Sequence, residues 1–306
     1  MNTAYFDSAL SDRDRLRQLY DGRIFVFSPT PGTKALIAHA KEMIVEAFGG
    51  RDPQHAQEEM DVLEFAAIVS PLKPAFIHHP RSKALIAQIL GEYGCDPERT
   101  YLDVPRLRIG THSGYLTSGV AYAHHPHRDT WYSAPLTQIN WWLAIYDFSS
   151  ESSMAFHPAY WSHGVANSSD RFDYYDWNSN GRKEAAKHIT SDTRFQPKAQ
   201  EPIALDPQIR FVPRAGGPIL FSGAQMHSTV PNTSGATRWS IDFRTVNIDD
   251  VIAHGGAPNV DSHPQGTSLR DFMRTSDLTR VPEEIVRTYD PRPAPEGQLV
   301  YAPATA

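Results

Sequence analysis

Cysteine is almost missing: the chain of 306 residues has one, Cys95. A single thiol excludes an intrachain disulfide framework and any thiolate zinc cluster built within one chain. No apolar run approaches the roughly 20 residues needed to span a bilayer. Positive charge is in the minority, with 29 Lys and Arg against 35 Asp and Glu and a net charge of −6. That balance gives no electrostatic footprint for nucleic acid or an anionic membrane. Met1 to Leu10 is neither basic nor strongly apolar, so no signal peptide is expected. Several reactive motifs are also missing: a Gly-x-Ser-x-Gly elbow, a phosphate-cradling Gly-rich loop and a His-Glu-x-x-His helix. At 40% apolar and 21% charged residues, the composition fits neither disorder nor a fibrous repeat. The expectation is a soluble, cytoplasmic chain, monomer or homodimer, whose partner is a small molecule.

Histidine, by contrast, is abundant, at 14, beside 13 Tyr and 6 Trp. Their use depends on where the chain places them. The first third, residues 1–100, reads as mainly helical. Ser11 to Tyr20 is Leu-spaced, and Arg23 to Phe27 is β-like. Thr30 and Thr33 can cap a helix whose Leu36, Ile37, Ile44, Val45 and Phe48 recur at helical spacing. Further helices are expected from Pro53 to about Val69 and from Arg81 to Tyr93. The pattern then changes to strands: Tyr101 to Ile109, Thr137 to Tyr146, Ile203 to Val212, Ile219 to Ser222 and Arg238 to Val246. Residues 149–200 are too long for an ordinary connection and read as a functional insertion. The tail, 247–306, holds at most two short helices, near Thr267 to Arg274 and Pro282 to Tyr289. No linker divides the chain, so 1–306 is expected to be a single domain. Helices followed by strands imply an α+β architecture, with an antiparallel core over residues 101–246.

Within Ala123-His124-His125-Pro126-His127-Arg128-Asp129-Thr130-Trp131, extended backbone sends His127 and Asp129 to the same side. An imidazole and a carboxylate two residues apart can chelate one cation. His227, delivered by the short apolar run Ile219 to Ser222 and a turn, is the best third ligand. Two histidines and one carboxylate make the facial triad of non-heme Fe(II) oxygenases. Alone, His-x-Asp reads more readily as a surface or structural pair than as a metal site. Eleven residues after His227 comes Arg238-Trp239-Ser240-Ile241-Asp242-Phe243-Arg244, in which Arg238 and Ser240 share a face. A guanidinium fork beside a hydroxyl suits a carboxylate held bidentately. An ion pair of Arg238 with Asp242 on a solvated face is the alternative.

Together these pieces resemble the Fe(II)/2-oxoglutarate-dependent dioxygenase superfamily, within it the phytanoyl-CoA dioxygenase-like branch. The resemblance rests on His127-Arg128-Asp129, on His227 with Pro231-Asn232-Thr233-Ser234, and on Arg238-x-Ser240, and it covers roughly residues 100 to 246. It implies a double-stranded β-helix (jelly roll, cupin-like) core flanked by N-terminal helices. It implies Fe(II) on His127, Asp129 and His227, with O2 as oxidant. It also implies 2-oxoglutarate held at Arg238 and Ser240, with Gln138 and Asn140 as further contacts in the cosubstrate pocket. The implied reaction decarboxylates 2-oxoglutarate to succinate and CO2 and hydroxylates, desaturates or cyclises a small metabolite, such as a natural product or amino-acid-like compound. Halogenases of the superfamily carry Gly or Ala at the position of Asp129, which argues against halogenation.

The chain departs from the family pattern at Ala215-Gly216-Gly217, at Ser152-Ser153 and along Pro158 to His163. These changes concern the substrate side more than the iron. There Arg106, Arg108, Trp131, Tyr132, Trp142, Phe156 and Trp161 are candidate substrate contacts, with salt bridges and ordinary core as the alternatives. His124 and His125 read as supporting residues, and His157 and His163 as substitutes for His227. Gln138 and Asn140 have an alternative too, as buried amides satisfied by their neighbours. Two other functions remain open. A cupin-type metal-dependent isomerase or cofactor-free dioxygenase would keep the metal without needing Arg238, and a β-sandwich binding protein would need neither.

Overall fold

The computed structural model describes residues 3–181, 187–189 and 191–293. Residues 182–186 and 190 of the expected insertion, and 294–306 of the expected tail, lie outside the described residues.

The helical flank begins with α1 (Asp12–Tyr20), capped by the Ser11 hydroxyl. Next comes α2 (Pro31–Ala47), which opens with a reciprocal capping box between Thr30 and Thr33 and with Pro at its first turn. It buries Leu36, Ile37, Ala40 and Ile44. Helix α3 spans Val62–His78, capped by Asp61, so it starts and ends later than its expected limits of Pro53 and Val69. Pro71 and Pro74 lie inside it, yet the buried stripe of Phe65, Val69, Leu72 and Phe76 continues past them. Packing outweighs the breaker signal there. Helix α4 (Pro80–Glu92) ends with Glu92 accepting the Gly32 N–H at 2.9 Å, which ties it to the start of α2.

The helices cover one face of an eight-stranded sheet. Its strands are β1 (Ala4–Phe6), β2 (Ile24–Val26), β3 (Thr100–Leu102), β4 (Arg106–Gly110), β5 (Ile139–Ala144), β8 (Pro218–Ser222), β10 (Arg238–Asn247) and β11 (Met273–Arg274). The order is β1-β2-β8-β5-β10-β3-β11, with β4 also paired to β10. A second sheet has the order β7-β6-β9, built from β6 (Met154–Phe156), β7 (Ile209–Arg210) and β9 (His227–Thr229). Mixed α/β architecture with helices first is what the sequence implies. Besides the limits of α3, several strands and one tail element differ from expectation, and the strand expected over Tyr101 to Ile109 divides into β3 and β4. The strand expected over Ile203 to Val212 shrinks to β7, between Pro207 and Pro213, which cannot donate to a ladder. The central strand of the second sheet, β6, lies within the stretch read as an insertion. In the tail, Thr267 to Arg274 forms a 3₁₀ turn at Ser268–Asp271 followed by β11, not a helix.

Strand alternation then sorts side chains between two faces. Trp239, Ile241 and Phe243 of β10 join Ile139, Trp141, Leu143, Leu107 and Ile109 in the core beneath the helices. The other face carries Arg238, Ser240, Asp242 and Arg244. In register, Ser240 pairs with Arg108, Asp242 with Arg106 and Trp142, and Arg244 with Asn140. Trp142, Ala144, Ile219 and Phe221 of the large sheet pack against Met154 and Phe156 of the small one. The two sheets therefore enclose a polar strip of β10 between them.

Candidate metal and cosubstrate site

The segment before Asp129 pairs with the segment that carries His227. His127 N–H donates to His227 O and His227 N–H to His127 O, each at 3.0 Å. This mutual bridge holds the two imidazole centroids 4.3 Å apart. His127 Nδ1 lies 2.7 Å from His125 O, and His227 Nδ1 lies 3.0 Å from Gln225 O. A carbonyl can only accept, so each Nδ1 carries the proton and each Nε2 presents a lone pair. Both lone pairs face the same oxygen: Asp129 Oδ1 is 3.5 Å from His127 Nε2 and 3.9 Å from His227 Nε2. Among the described residues these three form the one group of His, Cys, Asp or Glu gathered to metal-binding distance. Two imidazole nitrogens and a carboxylate oxygen converge there, a donor set that suits a metal cation.

Electrostatics favour ligation at neutral pH. Burial, and next the field of His127, lower His227 to about 4, so it is neutral and ready to bind. Burial opposes ionisation of Asp129, yet the imidazole of His127 and the fields of His227 and Arg244 hold it well below the usual carboxylate range. Its second oxygen, Oδ2, accepts from Asn140 Nδ2 at 2.7 Å and Gln138 Nε2 at 3.0 Å. Gln138 also donates to Asn140 Oδ1 at 2.9 Å. The amides expected as cosubstrate contacts thus point their donors at the carboxylate, and their role in this structure is to aim Oδ1.

Arg238 and Ser240 sit further along β10. Arg238 Nη1 donates to Ser152 O at 3.1 Å, and its guanidinium lies 5.4 Å from the Trp142 ring. A Cβ on Gly110 would come within 3.2 Å of Nη2, so glycine there lets the fork lie across β4. Burial, followed by the charge of Arg108, lowers Arg238 to about 10, which leaves it charged at neutral pH. Arg238 Nε and Ser240 Oγ are both buried without a partner. Two orphaned donors on one strand face, beside an unneutralised guanidinium, match the needs of a carboxylate. The alternative ion pair of Arg238 with Asp242 does not form: Asp242 is taken by Arg108 and Arg244.

The remaining candidates divide. Tyr132 is close, with its ring 5.5 Å from His127. Trp142 and Phe156 lie in the apolar layer between the sheets, and Phe156 is 6.4 Å from His227. Arg106 is bound to Asp103 at 2.6 Å and Arg108 to Asp242, so both take the salt-bridge role. Trp131 is fully buried against Val165 and Met226, with its indole N–H on Asp261 at 2.7 Å. Trp161 packs on Gly22, where a Cβ would clash with its ring. The contacts of both tryptophans are structural. His157 meets Ser228 at 2.9 Å, and His163 is exposed; neither joins the triad. His124 does stack on His127, with centroids 4.9 Å apart. Asp261 went unforeseen, because nothing local marks a tail residue 130 positions from its partner Trp131.

No family model matches the chain, and no curated protein sequence does. Similar solved structures include the non-heme alpha ketoglutarate dependent carbocyclase SnoK from nogalamycin biosynthesis, at 13% identity and TM-score 0.38, over 78% of this chain and 85% of that one. The epimerase SnoN of the same biosynthesis is 16% identical, with TM-score 0.36, over 77% and 84%. AviO1 from Streptomyces viridochromogenes Tue57 is 15% identical, with TM-score 0.38, over 83% and 100%. Likeness at this level leaves function to rest on the residues of the site.

Proposed function

We propose that this chain is a non-heme Fe(II)/2-oxoglutarate-dependent oxygenase with a double-stranded β-helix core, acting on a small-molecule metabolite. The observation that carries the reading is the coexistence of two sites between the same sheets: the converging His127-Asp129-His227 triad, and the orphaned donors of Arg238 and Ser240. His127, Asp129 and His227 would hold Fe(II), and Arg238 with Ser240 would hold one carboxylate of 2-oxoglutarate. When bound, the iron supplies O2 activation coupled to decarboxylation of the cosubstrate. The protein does the rest. Carbonyls of His125 and Gln225 fix both imidazole tautomers, Asn140 and Gln138 fix the carboxylate, and the apolar layer of Trp142, Phe156 and Phe221 limits water. Hydroxylation is the default outcome; desaturation or cyclisation would follow from substrate placement.

A cupin-type isomerase or cofactor-free dioxygenase would use the triad and leave Arg238 and Ser240 without purpose. Anaerobic addition of Fe(II) and 2-oxoglutarate separates the readings. The expected result is a visible charge-transfer band that needs both components and saturates at one equivalent. Iron uptake with no band on addition of 2-oxoglutarate would refute the cosubstrate assignment, and absence of iron uptake would refute both enzyme readings.

A further inference from the structure

Arg128 stands between two members of the triad, and strand alternation turns it away from them. Its side chain is 1% exposed. Nε donates to both oxygens of Asp261, at 3.0 and 3.1 Å. Nη1 donates to Ala224 O at 2.6 Å, and Nη2 to Tyr160 O at 2.6 Å and His163 O at 3.0 Å. Asp261 also accepts from Trp131 Nε1 at 2.7 Å and Val165 N–H at 3.0 Å. One planar fork therefore joins the segment of His127 and Asp129, the turn leading to His227, the loop after β6 and the C-terminal tail.

Two of those attachments belong to ligand-bearing segments. Arg128 is covalently next to both His127 and Asp129, and Ala224 lies three residues before His227. The guanidinium is rigid, so the Arg128–Ala224 contact sets how far apart those segments stand, provided that the fork cannot rotate. Asp261 anchors the base of the fork at Nε, shared between its two oxygens, while the carbonyls of Ala224, Tyr160 and His163 hold its two arms. Metal sites are sensitive to such spacing, because ligand distances are satisfied only within about 0.2 Å.

We propose that Arg128 and Asp261 are positioning residues of the metal site: the tail carboxylate locks the fork, and the fork spaces His127 and Asp129 from His227. The inference rests on the metal reading above. Removing the carboxylate leaves a buried guanidinium unpaired, free to swing toward other acceptors and to carry the ligand segment with it. A clamp that merely attaches the tail would lower stability and leave metal affinity alone.

The test measures metal binding by the full chain, with Co(II) followed by its visible absorption and Fe(II) by anaerobic calorimetry. It is done well below each variant's melting midpoint. Asp261→Asn and Arg128→Lys are expected to weaken metal binding about 10- to 100-fold, the range seen when groups supporting metal ligands are removed. Asp261→Glu should recover part of that loss. Ser262→Ala cuts a neighbouring tie of the tail to this segment, the 2.7 Å bond to Thr130, and should leave affinity within about twofold. Near-native affinity in folded Asp261→Asn overturns the proposal, as does an equal loss in Ser262→Ala. If Asp261→Asn does not fold, Arg128→Lys decides by the same criterion. A wild-type chain that binds no metal overturns the triad reading and this inference with it. A wild type that binds while all variants match it overturns this inference alone.

Discussion

Ser240→Ala tests the cosubstrate site by moving two quantities in opposite directions. In the unliganded protein the Ser240 hydroxyl is fully buried and has no partner. A buried unsatisfied group costs about 1–3 kcal/mol, so its removal should raise unfolding stability by about 1 kcal/mol in a urea titration. With Fe(II) and 2-oxoglutarate present the hydroxyl has a carboxylate to meet. Losing a bond worth about 0.5–1.5 kcal/mol should weaken the cosubstrate roughly 2- to 10-fold. Arg238→Ala removes the charge as well. Breaking a buried pair costs about 3–5 kcal/mol, or roughly 100- to 4,000-fold in 2-oxoglutarate affinity. Arg238→Lys should fall between, because an ammonium keeps the charge and loses the fork. The assay is the midpoint of the charge-transfer band against 2-oxoglutarate, beside urea unfolding of the apo protein. A Ser240→Ala variant that is destabilised and binds 2-oxoglutarate normally would refute the reasoning, since the hydroxyl would then be packed for the fold alone.

Other outcomes follow from the same geometry. Asn140→Ala removes the 2.7 Å bond to Asp129 Oδ2 and should weaken Fe(II) by about 10-fold or more in an anaerobic titration; unchanged affinity would mean that Gln138 alone aims the carboxylate. Lys73 donates to Val120 O at 2.5 Å, and burial, then the charge of Arg108, lowers it to about 7 while Asp242 opposes the shift. Because the folded value lies below the unfolded one near 10.5, this group's contribution to stability is full above that pH and is lost as pH falls toward 7. Lys73→Met should flatten the rise in urea stability between pH 7 and 10; an unaltered slope would assign the effect elsewhere. Burial, with Asp12 adding to it, pushes the Cys95 thiol far up, so alkylation at pH 8 should wait for unfolding. Rapid labelling of the native protein would contradict that.

Much of the frame was legible locally. Thr30 and Thr33 announced the start of α2, and the period-two pattern of β10 separated Trp239, Ile241 and Phe243 from Arg238, Ser240 and Asp242. His127 and Asp129 share a side because alternation requires it. Other features were not legible, for physical reasons. The stripe of α3 ran through two prolines because burial of Phe76 and Leu72 depends on partners distant in sequence. Strand β6 is three residues long, and only its pairing with β9 makes it a strand. Gln138 and Asn140 read either as cosubstrate contacts or as buried amides satisfied by neighbours, and sequence could not say that Asp129 would be their acceptor.

Composition and spacing by themselves narrowed the chemistry proposed here: one cysteine removed thiolate sites, and His-x-Asp with a later His and Arg-x-Ser pointed to a histidine-carboxylate metal site beside a group for binding a carboxylate. Tertiary structure decided what completes that centre. The third ligand meets the first through a mutual backbone bridge, the tautomers are set by two carbonyls, and Arg128 finds Asp261 from the far end of the chain. These are contacts between segments up to 133 residues apart. No local pattern encodes them, because they arise only when the sheets, the loop after β6 and the tail compete for the same buried hydrogen-bond donors.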